Sequence, residues 1–271
     1  MINRLTIILF TILLSQLSLS SLLAQFQPGA KQIALSNSDV AASDDAFSLF
    51  GNPAGLSRIE SRQFGIFYSP SPFGISELAN GYAAINQPTN FGSFALGAMN
   101  YGFNLYRETR IQFGYSKIIE EKFLFGISAF YQTLSIKNYG THNSVNLSLG
   151  GIFMLSNNLA IGFSLHNPLR ENDYSSLTSN FRTGISYKPI NDARIHLAVF
   201  KEINFPISIS SGVEYDILKF FSLRFGIQNN PNTYSAGIGI NYLFLQLDYA
   251  LNSHQDLGLT HQIGLLINFS E

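Results

Sequence analysis

From about residue 61 to the C-terminus, the chain repeats one pattern: about eight to twelve residues of alternating character, then a turn. In the last repeat, Leu259, His261, Ile263, Leu265, Ile267 and Phe269 fall on one face. Alternation with period two predicts β-strands, because successive side chains leave opposite faces of a pleated backbone. No stretch after residue 24 approaches the roughly twenty apolar residues that a membrane-spanning helix needs. The pattern therefore predicts an all-β structure after residue 60.

Counting the repeats predicts about fourteen strands. Their expected spans are 61–69, 80–86, 91–100, 108–118, 122–136, 143–154, 158–167, 178–188, 193–201, 206–217, 220–229, 233–241, 243–251 and 258–269. With these spans, longer loops follow the odd strands and shorter turns follow the even ones. Bacterial outer-membrane barrels have an even number of antiparallel strands and short periplasmic turns. The parity therefore favours a transmembrane antiparallel β-barrel over a soluble sandwich.

Composition supports a membrane location. Only 12% of the residues are charged, whereas aromatic residues make up 14% of the chain. A soluble protein needs a charged surface, and here one strand face is Leu, Ile, Val, Phe and Tyr while the other is Gly, Ser, Asn and Gln. Five tyrosines on the apolar face are predicted near strand ends, as an interfacial girdle requires: Tyr115, Tyr187, Tyr215, Tyr242 and Tyr249. The apolar face is therefore predicted to contact outer-membrane lipid.

Residues 1–24 are interpreted as a cleavable signal peptide. Arg4 provides the positive charge, and Leu5 to Leu14 forms an apolar core of about ten residues. The alternative is a membrane anchor from Leu5 to Leu23, which Gln16 and several serines disfavour. The expected location is therefore the outer membrane of a bacterium with two membranes.

Residues 25–60 lack the alternation. Ser43 to Phe50 is expected to form a short helix with Ser43 as its N-cap, which Pro53 ends. About 35 residues are too few to fold alone. We therefore expect this segment to pack inside the barrel of residues 61–271, where glycines inside the strands ease curvature or make room for it.

Two short stretches resemble a known family. Residues 41–46 (AASDDA) and 52–56 (NPAGL) resemble the N-terminal signature of FadL-like outer-membrane proteins, and most closely the PorV/PorQ branch of type IX secretion. Residues 248–250, 257–258 and 260–261 resemble the closing strands of that branch. The resemblance implies a fourteen-stranded barrel with an N-terminal plug. It implies a plug role for Asp44, Asp45, Asn52, Pro53, Ala54 and Gly55.

The sequence offers no catalytic constellation. The five histidines, His142, His166, His196, His254 and His261, lack metal-ligand spacing, and no G-x-S-x-G elbow is present. Cysteine is absent and the net charge is −1, which argues against thiol chemistry and nucleic-acid binding. We expect no enzyme activity, cofactor or metal. A membrane-embedded hydrolase using His166 or His196 is a distant alternative.

Ionisable residues on the polar face are the most informative. Those expected to point into the lumen are Arg182, Lys188, Arg194, His196, Arg224 and Asp248. Such charges need hydration or partners, and Asp44 or Asp45 of the plug are candidates. They form either an anion-favouring constriction or salt bridges that anchor the plug, and the second interpretation is favoured. The loops at 70–79, with Phe73 and Glu77, and at 168–177, with Arg170, Glu171, Asp173 and Tyr174, are where a ligand or partner is expected.

Two functions follow as hypotheses. The first is a non-enzymatic secretion or envelope component, or a plugged channel, with type IX secretion components or secreted envelope proteins as partners. The alternative is a FadL-like transporter of small hydrophobic solutes. The chain is shorter than the fatty-acid transporters of the family, and the sequence shows no outer lipid-binding groove. These departures argue against fatty-acid import, but no residue distinguishes a channel from a scaffold, so the sequence supports membership of the family more strongly than either function.

Overall fold

The computed structural model describes residues 28–168 and 179–269. The predicted signal peptide and most of the loop at 168–177 lie outside these residues. Fourteen strands form a closed antiparallel barrel in which each strand pairs with its neighbours in sequence, and β1 pairs with β14. The predicted fold class is confirmed. In the part of the chain that is described, no helix is long and apolar enough to cross a bilayer.

The strands differ from their predicted spans by a few residues at most ends. They are β1 (Arg62–Ser69), β2 (Asn80–Thr89), β3 (Gly92–Gly102), β4 (Tyr106–Ile119), β5 (Phe123–Ile136), β6 (Gly140–Ser156), β7 (Leu159–His166), β8 (Asn180–Ile190), β9 (Ala193–Glu202), β10 (Ser208–Leu218), β11 (Phe221–Gln228), β12 (Thr233–Tyr242), β13 (Leu245–His254) and β14 (Gly258–Phe269). The even strands are followed by turns such as 90–91, 191–192 and 243–244, whereas connections after odd strands reach ten residues at 70–79 and thirteen at 167–179. The end with these longer loops is called the loop end, and the other the turn end.

The two faces of the wall differ as the alternation predicts. On β9, Ile195 and Leu197 are about half exposed on the outside, whereas His196 and Ala198 between them are buried inside. The outer face of the strands is thus largely apolar, which suits contact with lipid chains. Tyr187, Tyr215 and Tyr242 are exposed near the turn end, as a girdle requires. Tyr249 instead lies in the middle of β13, where its hydroxyl meets His261 Nδ1 at 2.6 Å.

Residues 28–60 lie inside the barrel, and we refer to them as the luminal segment. The segment contains one short helix, α1 (Ala30–Ala34), and two 3-10 helices, Ala46–Leu49 and Pro53–Arg58. The predicted helix from Ser43 to Phe50 is therefore wrong in extent. Asp45, and not Ser43, caps the first 3-10 helix, because its side chain accepts a hydrogen bond from Phe47 N and Ser48 completes a capping box.

Pro53 does not end a helix but begins one. It occupies the first turn of the second 3-10 helix, where its missing N–H is not needed. Asn52 caps this turn by accepting a hydrogen bond from Ala54 N at 3.2 Å. The Asn52 amide also donates to Val40 O at 2.7 Å. The Asn-Pro-Ala-Gly motif is therefore a helix start that also holds two stretches of the luminal segment together.

Candidate functional site

The luminal segment meets the wall along a belt of glycines. Ten strands each contribute one glycine at which an added Cβ would lie 3.0 Å or less from an atom of the segment: Gly65, Gly97, Gly114, Gly126, Gly150, Gly162, Gly184, Gly212, Gly226 and Gly237. At Gly126 the added atom would be 2.2 Å from Ala54 N, and at Gly150 it would be 2.1 Å from Asn52 Oδ1. Real Cβ atoms are not accommodated at such distances, because interiors are close-packed. The glycine belt therefore exists to admit the segment.

Apolar packing fills the contact on the β1–β3 side. Phe47 meets the ring of Phe67 with centroids 6.3 Å apart, and Phe50 meets Tyr82 at 5.1 Å, both edge to face. Leu49 and Leu56 are fully buried in the same cluster. Edge-to-face pairs add to the effect of burial, so this side of the segment is held mainly by hydrophobic packing.

A chain of opposite charges holds the other side near the turn end. It runs through Lys31, Asp44, Arg194, Glu214, Arg224 and Asp248, and we call it the ionic ladder. Lys31 Nζ lies 2.7 Å from Asp44 Oδ1, whose other oxygen lies 3.7 Å from Arg194 Nη1. Burial alone would raise the pKa of Asp44, but Lys31 and Arg194 outweigh it and hold that pKa below its usual value. The segment is thus joined electrostatically to the wall.

The inner part of the ladder lies within the wall itself. Arg224 Nε lies 2.6 Å from Glu214 Oε2, and its Nη1 lies 2.5 Å from Asp248 Oδ1. All three side chains are almost fully buried. Gln246 also donates to Asp248 at 2.7 Å. Buried charges of this kind are tolerated only when paired and hydrogen-bonded, so Arg224 neutralises two carboxylates at once.

A cavity of about 920 Å³ occupies the loop end of the lumen above the segment. Its floor is formed by residues of the segment, including Ile33, Asn37 and Phe50. Its wall is rich in aromatic rings: Phe73, Tyr82, Tyr101, Phe103, Tyr106, Phe130, Phe200 and Phe205. Cavities of this size with apolar walls and a few polar groups are typical of small-molecule sites.

The polar groups of the cavity are ordered by hydrogen bonds. Glu108 is buried and accepts hydrogen bonds from Tyr106 Oη at 2.5 Å and from Gln132 Nε2 at 2.8 Å. Arg110 stacks over the Phe130 ring at 4.3 Å, and Arg182 over the Phe200 ring at 4.6 Å. Stacked guanidinium groups present a weakly hydrated flat face as well as a charged edge of N–H donors. The wall therefore combines a largely apolar surface with a few oriented polar groups.

A second, much smaller cavity of about 10 Å³ lies between the segment and strands β7 and β8. Asp39, Ser164 and Arg182 are among the residues that line it. Burial raises the pKa of Asp39 to about 6, although the positive charge of Lys31 opposes this rise. Arg182 belongs to both cavities.

Among the described residues, no group of three or more His, Cys, Asp or Glu side chains is arranged to hold a metal ion. His166 Nε2 lies 2.7 Å from Gly51 O and its Nδ1 lies 2.9 Å from Ser148 Oγ. Ser148 is fully buried, whereas His166 lines the large cavity. The pair ties Gly51 to the wall.

Comparison with solved structures identifies the same architecture elsewhere. A Pseudomonas aeruginosa FadL homologue superimposes with a TM-score of 0.67 and 10% identity, over 90% of this chain and 98% of that one. The P. putida toluene transporter TodX gives 0.62 and 12%, over 90% and 99%. The Acinetobacter baumannii outer membrane protein Omp33 gives 0.53 and 9%, over 77% and 98%. The fold is that of outer-membrane barrels.

At this identity the likeness is one of fold. No protein-family model matches the sequence, and no curated protein matches it either. The structural neighbours include a FadL homologue and a toluene transporter.

The residues singled out from the sequence lie in different places. Arg194, Arg224 and Asp248 belong to the ionic ladder. Arg182 lines both cavities, and His196 is buried in the lumen, where its Nδ1 has no partner among the described residues. Asp44 contacts Arg194, whereas Asp45 accepts a hydrogen bond from Gln32 Nε2 at 2.7 Å. Of the loop residues, Phe73 and Glu77 line the large cavity.

Sequence reasoning missed several charged members of these groups and the cavity itself. Lys31 lies in a stretch without periodicity, and Glu214 and Glu108 were not assigned to the lumen, although both alternate with outward-facing neighbours. The sequence shows no outer lipid-binding groove, and it does not reveal the luminal cavity either, because residues from many strands form that cavity. No local pattern marks such a set.

Proposed function

We propose that this protein is an outer-membrane transporter of small hydrophobic solutes. The single observation that carries the proposal is the cavity of about 920 Å³, walled by aromatic rings and floored by the luminal segment. The apolar outer face of the barrel supports a location in the outer membrane. The fold shared with a toluene transporter and with a FadL homologue supports the same class of function.

In this proposal the luminal segment acts as a plug. The glycine belt lets it fill the lumen, so that water and polar solutes do not leak through. A hydrophobic solute enters from the loop end, where Phe73 and Glu77 lie beside the cavity. It leaves the cavity when the barrel wall or the luminal segment changes conformation. No covalent step is required, so the protein acts by binding and release.

The proposal is tested by narrowing the cavity. Met99 and Ser210 line it, and both are buried. Replacing both by Trp is expected to reduce uptake of a radiolabelled monoaromatic hydrocarbon at least about fivefold, in intact cells whose outer membrane has no other channel for it. The matched control replaces the outward-facing neighbours Ala98 and Ile209 by Trp, and uptake should remain. Uptake equal to that of cells without the protein, for the wild type itself, would refute the function.

A role in protein secretion, as in the PorV/PorQ branch, is the second candidate. Its support is the resemblance of residues 41–46 and 52–56 to that branch, together with the short loops. It predicts that deletion of the gene removes specific proteins from the culture supernatant, and that the barrel co-purifies with large envelope proteins. A deletion strain with normal secretion and impaired hydrocarbon uptake would decide for transport.

A further inference from the structure

Arg110 and Arg182 adopt the same posture on two walls of the large cavity. Each guanidinium stacks on the aromatic ring of a neighbouring strand, Phe130 for Arg110 and Phe200 for Arg182. Arg110 then donates from Nε and Nη2 to Gln132 Oε1 at 3.1 and 2.8 Å, so it is satisfied within the wall. Arg182 Nε is buried, and no atom of the described residues accepts its hydrogen. The two arginines therefore differ at Nε: that of Arg110 has an acceptor in the wall, and that of Arg182 has none among the described residues.

Arg182 also lines the small cavity of about 10 Å³. Five residues with an unpartnered buried polar atom line this space: Gln32 (Oε1), Asn37 (Oδ1), Asp39 (Oδ2), Ser164 (Oγ) and Arg182 (Nε). Three of them belong to the luminal segment and two to the wall. Buried polar atoms without partners are costly and rare. Their convergence on one small space on both sides of the segment–wall boundary calls for a shared partner.

The size and chemistry of the space fit one water molecule. A site needs about 10–15 Å³ and two to four polar partners to hold an ordered water. Here the Arg182 Nε–H is a donor, the Asp39 carboxylate is an acceptor, and Ser164 is able to be either. Asp39 and Arg182 carry opposite charges but form no direct ion pair within 4 Å in the described chain. The other charged groups around Asp39 are Lys31 and Asp44.

We propose that a water molecule in the small cavity bridges Asp39 to Arg182 and so ties the luminal segment to β8. Because the same guanidinium lines the large cavity, we further propose that a solute bound there draws Arg182 away and loosens the tie. The tie stands independently of the proposed function, whereas its loosening by a solute rests on it. The tie differs from the ionic ladder, which contains no residue of the large cavity.

The first experiment measures hydrogen exchange of the backbone amides in residues 36–43. Asn37 N and Ala42 N are protected in the segment by Gln32 O and Asp39 O. Arg182→Met, which keeps the packing over Phe200 but not the donor, is expected to speed their exchange at least about tenfold. Arg110→Met is the matched control and should leave it unchanged. Equal rates in the wild type and Arg182→Met, or equal effects of both variants, would overturn the tie.

A second variant guards against misfolding. Asp39→Leu removes the other end of the bridge and should give the same acceleration, and combining it with Arg182→Met should add nothing, because both remove one interaction. Additive effects would mean that no shared bridge exists. Both variants must still migrate differently on a gel before and after boiling, as a folded barrel does.

Adding a monoaromatic hydrocarbon tests the coupling. Exchange in residues 36–43 is expected to rise about threefold or more in the wild type and to stay constant in Arg182→Met. Hydrocarbon that binds without changing exchange would overturn the coupling but leave transport intact. Hydrocarbon that does not bind at all would overturn both the coupling and the proposed function, while the comparison of Arg182→Met with Arg110→Met still decides the tie.

Discussion

The hydroxyl of Ser36 in the luminal segment donates a hydrogen bond to the hydroxyl of Ser235 on β12, with the two oxygens 3.1 Å apart and both side chains buried. This contact joins residues that are 199 positions apart in the sequence. It fixes where the segment sits against the wall. Since the chain contains no cysteine, the pair is also a clean site for a crosslink.

We therefore expect that Ser36→Cys combined with Ser235→Cys forms a disulfide under mild oxidation, because the two side chains already touch. The crosslinked protein should migrate faster on a denaturing gel without reductant and normally with it. Tyr234 is the neighbouring residue on the outer face. Ser36→Cys with Tyr234→Cys should form no crosslink, and a crosslink in this control would argue against the position of the segment.

Adding a side chain to the glycine belt should expel the segment. A Cβ at Gly126 would lie 2.2 Å from Ala54 N, and neither backbone is able to move far. Gly126→Leu should leave a folded barrel but make cleavage by trypsin at Lys31 or Arg58 at least about tenfold faster. Ala129→Leu, on the exposed face of the same strand, should be cleaved like the wild type. Unchanged cleavage in Gly126→Leu would mean that the close contact does not hold the segment.

Removing the central cation of the ionic ladder should destabilise the barrel. Arg224→Met leaves Asp248 buried without its cation and Glu214 with Arg194 alone, and breaking a buried pair costs about 3–5 kcal/mol in comparable cases. The urea concentration at the midpoint of unfolding should fall clearly. Unfolding is measured by the change in gel migration that distinguishes the folded from the unfolded barrel. Adding Glu214→Gln and Asp248→Asn to Arg224→Met should restore part of the loss, because no unpaired charge then remains. A lack of recovery would show that packing, and not charge, was lost. Arg107→Met, at an exposed position, is the control.

The packing of the luminal segment against the barrel wall (the seated state) should become less stable as pH rises. Burial raises the pKa of Asp45 from its usual 3.8 to about 7, although Lys31 opposes the rise. The seated state therefore holds this proton more tightly than the released state. The resulting stabilisation is complete below about pH 4 and is lost as pH rises toward about 7. Exchange in residues 44–50, corrected for the intrinsic pH effect, should speed up over this range.

The variant Asp45→Asn tests whether Asp45 is the group that causes this pH dependence. Gln32 Oε1 has no partner among the described residues, so a flipped Gln32 amide is able to accept a hydrogen from the new Asn. The variant mimics the protonated carboxyl group. Its corrected exchange should be nearly independent of pH between 4 and 7. A pH dependence as large as that of the wild type would assign the effect to another group, with Asp39 the first to consider.

The sequence by itself determined the barrel. Strands such as β14 are readable because one-residue alternation is a local property of the backbone, and each strand pairs with its neighbours in the chain. The parity of loops and turns then gave the closed architecture. Residues 25–60 were also recognisable as a separate segment, because they lack the alternation.

Only the tertiary structure decided the contents of the lumen. Glu108 and Arg110 on β4 and Arg182 on β8 line one cavity because closure of the sheet brings them to the same interior. The partnership of Arg194 with Asp44 spans 150 positions, and no local signal encodes it. Which inward side chains touch depends on the register of every strand and on the path of the luminal segment. Those are set by long-range packing, and the alternation of the sequence says only which way each side chain points.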